Sequence, residues 1–205
     1  MIYSPEQFTI SDRELLFRVM RENSFATLIA SSGKGPMVAH VPVTIDQTNK
    51  MLHAHVARAN PIWQEFSPVR DVLFIFHGPH HYVSPNWYSE HPSVPTWNYA
   101  VVHASGAPTI IEDRGTVKRI LRRLVDEHES ASGTPWKMDL PVKYLRKMMD
   151  AIVAFEVPIT CLQGKFKLSQ NRSGADQSNV IAALRQADDD NGLRLAALME
   201  QVLKS

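Results

Sequence analysis

The sequence predicts a mainly β fold with flanking helices (α+β), built as a small antiparallel barrel of about six strands followed by a helical C-terminal appendage. Three observations carry this expectation. Short apolar runs of strand length follow one another between Phe25 and Phe76, separated by the turn-forming clusters SSGKGP and DQTNK. Apolar residues at helical spacing are confined to the N-terminal region, the stretch after Thr116 and the end of the chain. No internal repeat or low-complexity tract competes with this pattern.

In chain order, Ser11 and Asp12 precede RELLFRVMREN, where Leu15, Leu16, Val19 and Met20 fall on one stripe; a helix covering a sheet is expected. Residues 25–30, 37–44 and 51–56 read as a three-strand meander. Residues 70–76 read as a strand whose Val72–Phe76 part is apolar on both faces, hence an interior one. Gly78-Pro79, Ser84-Pro85, His91-Pro92 and Val94-Pro95 then predict a long ordered loop. A further strand follows over 98–111.

Residues 116–129 place Val117, Ile120, Leu121, Leu124 and Val125 on one helix face and Lys118, Arg119, Arg122 and Arg123 on the other, the latter expected to be a solvated face. Residues 141–150 predict a short helix, and AIVAFEVPITCL one long returning strand. Two terminal helices, 179–187 and 193–203, flank Asp188-Asp189-Asp190. A helix-turn-helix reading fails there on charge, because three carboxylates repel phosphate and the second helix offers only Arg194 and Lys204 as bases. The expected division is a barrel domain over 1–170 and an appendage over 171–205.

At 205 residues with 44% hydrophobic side chains, the chain can bury a sizeable core. A net charge of +1, from 22 basic and 21 acidic residues, supplies no global field to attract nucleic acid or an anionic membrane. The one cysteine, Cys161, excludes an internal disulfide; its setting VPITCLQ predicts a buried, unreactive thiol and suits a reducing cytoplasm. The start MIYSPEQF has neither a basic n-region nor an apolar h-region, and no apolar run approaches the roughly 20 residues of a spanning helix. An unexported protein without a membrane partner is expected.

The stretch 71–104 is rich in His, Trp and Tyr. Within it, HGPHHYVSPNWY followed by VPTWNYAVVHASG, together with HVPVTID, HAHVARANPIW and GKFKLSQNR elsewhere, closely resembles the FMN-binding negative transcriptional regulators of the PaiB type, a branch of the FMN-binding split-barrel superfamily. The resemblance covers nearly the whole chain. It departs at His81, where a small residue is expected, and over 89–94, which is shorter than usual. It implies a split β-barrel, FMN as cofactor, a homodimer with the flavin site at the subunit interface, and repression of transcription. DNA as a partner rests on the resemblance alone.

A flavin mononucleotide site needs an anion-binding element, a flat apolar slot and hydrogen-bond partners for the polar ring edge. In HVARANPIW, Asn60 as N-cap and Pro61 behind it predict a short helix whose free amides suit a phosphate, with Arg58 able to add a bidentate pair and Trp63 in the same block. By spacing alone, a capped surface helix with an exposed Arg is as good a reading; the resemblance favours the ligand. His53 and His55 share a strand face. A metal would need a third ligand from His77, His80, His81 or His103 and second-shell partners that the sequence does not locate, so no metal is expected and His55 reads as a partner for phosphate or loop.

His40, Val41 and Pro42 lie on the preceding strand, where their backbone could meet the ring edge. Trp97, Asn98 and Tyr99 offer stacking surface and an amide, or else barrel-end packing or dimer contact. Lys167, Ser169 and Gln170, with Lys165 and Asn171, either cap the next helix or, as the resemblance implies, lie at the cofactor or dimer interface. No nucleophile and base stand at catalytic spacing and no glycine-rich phosphate loop occurs, so no catalytic residue is identified and any chemistry is the flavin's. A flavin-dependent oxidoreductase, or haem-handling relative, acting on a small substrate is the second reading. A cofactor-free dimeric interaction module is the third.

Overall fold

A computed structural model describes residues 2–130, 132–187 and 189–203; Asp188 and Lys204 lie outside the described residues. β1 (Thr9–Ile10) leads into α1 (Arg13–Glu22), whose first turn is held by Asp12 Oδ1 accepting from the Glu14 and Leu15 amides at 2.9 and 3.2 Å. The expected stripe is buried, with Phe17 added to it. β2 (Phe25–Ser32), β3 (Gly35–Asp46) and β4 (Met51–Ala57) form the meander, joined through Gly35 at φ 119° and Lys50 at φ 52°. A 3-10 turn (Pro61–Glu65) follows, then β5 (Val72–Val83), β6 (Thr96–Gly106) and β7 (Thr109–Ile110). The rest is α2 (Arg114–Glu129), α3 (Val142–Asp150), β8 (Ile152–Pro158), β9 (Cys161–Lys167), α4 (Gly174–Gln186) and α5 (Asp190–Leu203).

The class is as expected, but the sheet has nine strands among the described residues rather than about six. Two of the additional strands, β1 and β7, have two residues each and are too short to carry a periodic signal. β5 continues through His77-Gly78-Pro79 to Val83, where a loop was expected. Gly78 and Pro79 are both buried, so the in-out alternation slips by one there, and the strand absorbs a residue lacking a side chain and one lacking an N–H.

AIVAFEVPITCL is two strands, not one. β8 stops at Pro158, the Ile159 and Thr160 amides bond the Lys50 and Ser105 carbonyls at 2.8 and 2.9 Å, and β9 starts at Cys161. That turn leaves Cys161 exposed, correcting the expectation of a buried thiol. α4 begins at Gly174, before the expected 179, because Ser173 caps it by accepting from the Asp176 amide at 3.3 Å.

The chain forms two units that interleave in sequence. The first comprises Met1–Leu16, His77–Val102 and Gln163–Ser205, with strand order β1-β9-β6-β5 and a helix pair, α4 and α5, closed over Val180, Leu184, Leu195 and Met199. The second comprises Phe17–Phe76 and His103–Leu162, with order β6-β5-β2-β3-β4-β8-β7. Its interior holds Phe74 stacked on Phe155 at 6.4 Å and Phe66 tilted against Phe155 at 4.7 Å. Gly106 at the end of β6 lies so close to the end of β8 that a Cβ there would collide with the Pro158 carbonyl oxygen. Among the described residues no helix is long and apolar enough to cross a membrane.

Candidate functional site

In the second unit, strand alternation sorts β3 and β4 into a core face and an outer face. Val41, Val43 and Ile45 with Leu52, Ala54 and Val56 point into the core; His40, Pro42 and Thr44 with His53 and His55 take the other side. The register places Thr44 opposite His53 and His55 opposite Ala154 of β8. Of the predicted site residues, Val41 is therefore a core side chain whose backbone alone is available. His40 is exposed, and its Nδ1 pairs with Thr27 Oγ1 across the strands at 3.2 Å.

Two buried polar atoms on this face, Thr44 Oγ1 and His55 Nδ1, have no hydrogen-bond partner. Such orphans are uncommon, because each forfeits its water without replacement. Burial pushes the His55 pKa below its ordinary value, keeping the ring neutral. His53 is also lowered, chiefly by burial; Glu156, 3.7 Å from its Nε2, opposes this and Arg123 adds to it. Among the described residues no three His, Cys, Asp or Glu side chains cluster as metal ligands would.

Beyond His55, β4 runs into a cavity of about 300 Å³ whose lining includes Arg58, Trp63, Ile110, Arg114, Asp150 and Ala154. Arg58 is tied down: its Nε and Nη2 donate to the Asp150 and Ile152 carbonyls at 2.7 and 2.8 Å, and its own carbonyl accepts from Trp63 Nε1 at 3.0 Å. Arg114 pairs with Asp150 Oδ1 at 2.7 Å. The structure thus brings Arg58 and Trp63 together on one wall. Asn60 caps as its sequence position predicts, Oδ1 accepting from the Ile62 amide at 3.1 Å, but the element it starts is a five-residue 3-10 turn. A turn that short carries little of a helix dipole, and one of its amides is already satisfied. Arg58, rather than the turn, is the cavity's cationic donor on this side.

Trp97, Asn98, Tyr99, Lys167, Ser169 and Gln170 belong to the first unit. Asn98 is buried, its Nδ2 donating to Ser169 Oγ at 2.8 Å, while its Oδ1 is unpartnered. Ser169 is buried at φ 66°, a left-handed conformation that its side-chain bond helps to hold. Gln170 folds back on its own chain, accepting from the Leu168 amide at 2.7 Å and donating to the Phe166 carbonyl at 2.6 Å. These three side chains fix the turn from β9 towards α4, whose cap is Ser173. Trp97 is 54% exposed and Tyr99 half-buried, both on the outer side of β6.

Three residues escaped the sequence reading. Thr44 lies in the quoted block HVPVTID, in alternation with His40 and Pro42, and that alternation was the available signal. Arg114 approaches the cavity through tertiary packing alone. Asp176 is buried in the first unit, with Oδ1 accepting from the Ser89 amide at 2.6 Å and Oδ2 unpartnered; the pattern Ser173-x-x-Asp176 marks it as the third residue of a capped helix.

Two of the four bases on the α2 face, Arg119 and Arg123, are engaged. Arg123 bonds Glu127 at 2.9 Å and the Ile45 carbonyl at 2.9 Å, with Asp46 at 3.9 Å, and Arg119 donates to Thr116 Oγ1. In the terminal helices Arg185 pairs with Glu200 at 2.7 Å and Arg194 with Asp190 at 3.9 Å.

Comparison with known proteins places these features in a family. Residues 2–161 match the family described as "Putative FMN-binding domain". The chain is 34% identical over 206 residues to protease synthase and sporulation protein PAI 2 of Bacillus subtilis (strain 168), covering 99% of each chain. Among solved structures it is similar to the flavocytochrome Anf3 from Azotobacter vinelandii, with TM-score 0.66 and 16% identity over 84% of this chain and 73% of that one. It is also similar to the FAD and heme binding protein from Mycobacterium smegmatis, with TM-score 0.58 and 15% identity over 85% and 79%. At those identities the likeness is one of fold, the split barrel.

The residues present fit such a cofactor. An unbonded hydroxyl and a neutral, unbonded imidazole nitrogen, both already stripped of water, face the side of β3 and β4 that leads to an arginine and an indole, supplying the donor, acceptor, cation and ring types that a ribityl phosphate and a flat tricycle require.

Proposed function

Because this chain belongs to the FMN-binding domain family and is an FMN-binding split-barrel protein, we propose that it holds the flavin on the β3–β4 face as a homodimer and acts as a negative transcriptional regulator of the PaiB type. The observation that carries the flavin reading is the pair of buried, unpartnered atoms at Thr44 and His55 on the β3–β4 face, where His55 stands opposite Ala154 of the Arg58–Trp63 cavity. In this reading Arg58 binds phosphate and Trp63 shields it. His55 and Thr44 bond the ribityl and ring-edge groups, the backbone of His40, Val41 and Pro42 borders the ring, and Asn60 holds the turn that sets Arg58. Bound FMN supplies reversible electron transfer; the protein orients it and excludes water.

Homodimerisation is supported by the outer face of β5, β2 and β3. Register aligns Leu73, Ile29 and Val38 in one row, with Val38 56% and nearby Phe25 67% exposed. Apolar side chains in that density are an interface signature. The regulatory role is supported by the kinship to a protein named for protease synthase and sporulation.

FMN titration followed by quenching of flavin fluorescence tests the site. Arg58→Ala should weaken binding by about 1.5 to 3 kcal/mol, the value of a charge-assisted hydrogen bond. Arg58→Lys should recover part of the loss, and unchanged affinity in Arg58→Ala refutes the assignment. A second reading, a flavin-dependent oxidoreductase of a small substrate, is favoured by the pairing of Arg123, Arg185 and Arg194 with carboxylates, which takes those helix bases out of a DNA-contacting surface. A salt-sensitive gel shift on promoter DNA selects the regulator; nicotinamide-driven turnover without one selects the enzyme.

A further inference from the structure

We propose that the outer face of β5, β6 and β9 in the first unit, centred on Lys165, Lys167, Trp97 and Tyr99, is a binding site for a second ligand, a small planar aromatic carboxylate. The site lies wholly within one unit, and nothing in it depends on the flavin assignment.

Strand alternation builds the face. In β9, Gly164, Phe166 and Leu168 just beyond it are buried, so Lys165 and Lys167 emerge together on the other side. In β6, its neighbour, Asn98, Ala100 and Val102 are buried and Trp97 and Tyr99 emerge. β5 borders β6 and brings Tyr82 edge-on to Trp97 at 6.1 Å and His80 to within 6.3 Å of it. Trp97 and Tyr82, 54% and 42% exposed, leave flat ring surface open to solvent.

On and beside this face, Lys165, Lys167 and Arg172 are satisfied only by neutral groups. Lys165 Nζ donates to the Tyr3 carbonyl at 2.9 Å and sits 5.3 and 5.8 Å from the Tyr3 and Tyr99 ring centres. Lys167 Nζ bonds Thr96 Oγ1, and Arg172 lies 4.1 Å from the Tyr88 ring centre while donating to Ser93 Oγ at 3.1 Å. Among the described residues none of the three has a carboxylate within 4 Å, whereas Arg114 and Arg185 each have one and Arg123 has two. Burial, then Lys165, then Arg172, push the Lys167 pKa down. A half-buried ammonium repelled by two other cations is electrostatically incomplete, and an incoming anion removes that cost. A carboxylate answers the ammonium groups, and a flat ring bound to it answers the open indole and phenol faces.

Isothermal titration calorimetry on the full chain, with 4-nitrobenzoate and its neutral counterpart 4-nitrobenzamide, tests this. The acid should bind saturably and the amide about tenfold more weakly, because only the acid forms a charge-assisted pair. Lys167→Gln should weaken the acid about tenfold and leave the amide unaffected, with Lys167→Arg restoring the acid. Saturating FMN should not change the acid's affinity. Equal affinity for acid and amide overturns the proposal, and so does the absence of binding. Stoichiometric displacement of the acid by FMN also overturns it, by making this face the flavin's own. The acid-amide comparison uses unaltered protein and stands whether or not the variants fold. Failure of FMN to bind at all would refute the flavin reading without touching this one.

Discussion

Thr44→Val separates a structural hydroxyl from one that waits for a ligand. Thr44 is 1% exposed and its Oγ1 meets no partner, so the folded, flavin-free protein bears the cost of desolvating it. An unsatisfied buried hydroxyl costs about 1 to 3 kcal/mol, and a methyl group fills nearly the same volume without that cost. Flavin-free Thr44→Val should therefore be more stable by about 1 kcal/mol, which for a chain of this size raises Tm by about 2 to 4 °C. With FMN bound the hydroxyl is paired, so the variant should lose about 0.5 to 1.5 kcal/mol of binding and show a smaller flavin-induced rise in Tm. Differential scanning calorimetry with and without FMN measures both quantities. A fall in the flavin-free Tm would show that the hydroxyl is already bonded. An unaltered flavin-induced rise would remove Thr44 from the site.

Three further outcomes follow from particular contacts. His53 and His55, both held below the ordinary value of 6.5, bind protons more readily unfolded than folded, so their contribution is full above that pH and is lost as pH falls below it. Melting should accordingly drop between about pH 7.5 and 5.5, and His55→Gln should flatten the drop; an identical pH slope in the variant contradicts the assignment. Val38→Glu, placing charge in the exposed apolar row, should shift sedimentation from dimer to monomer while preserving the circular dichroism spectrum, and a dimer that persists would move the interface elsewhere. Gly106→Ala should destabilise by about 1 to 3 kcal/mol or more in chemical unfolding, because the obstructing atom is a backbone carbonyl that cannot rotate away. A neutral result there would refute the close approach of β6 and β8.

Much of the site was readable locally. Asn60 before Pro61 announces a cap, and Asn60 caps. What the pair could not announce is the kind of helix: the chain turns into a strand-bound segment after five residues, and only packing sets that length. The His40, Pro42 and Thr44 alternation was legible as one strand face, yet that Thr44 is sealed without a partner depends on what covers it. The same limit explains Cys161. Its neighbours are apolar, but exposure follows from a turn that the Lys50 and Ser105 carbonyls stabilise from distant parts of the chain. The continuation of β5 through Gly78-Pro79 was hidden because turn chemistry is a local preference, which the extension of the strand within the sheet overrode.

By itself, the order of residues determined the fold class, the meander from Phe25 to Ala57, which regions of the chain are helical and the family to which the chain belongs. These follow from periodicity and capping, which act over a few residues. Only the tertiary structure decided that Arg58 would bond the carbonyls at the end of α3 and the start of β8, some ninety residues away, that Lys165 would lie against aromatic rings and Lys167 against a hydroxyl rather than carboxylates, and that the chain would interleave into two units. Each of those depends on which segments meet across the sheet, and a pairing between distant strands leaves no trace in the local pattern of either one.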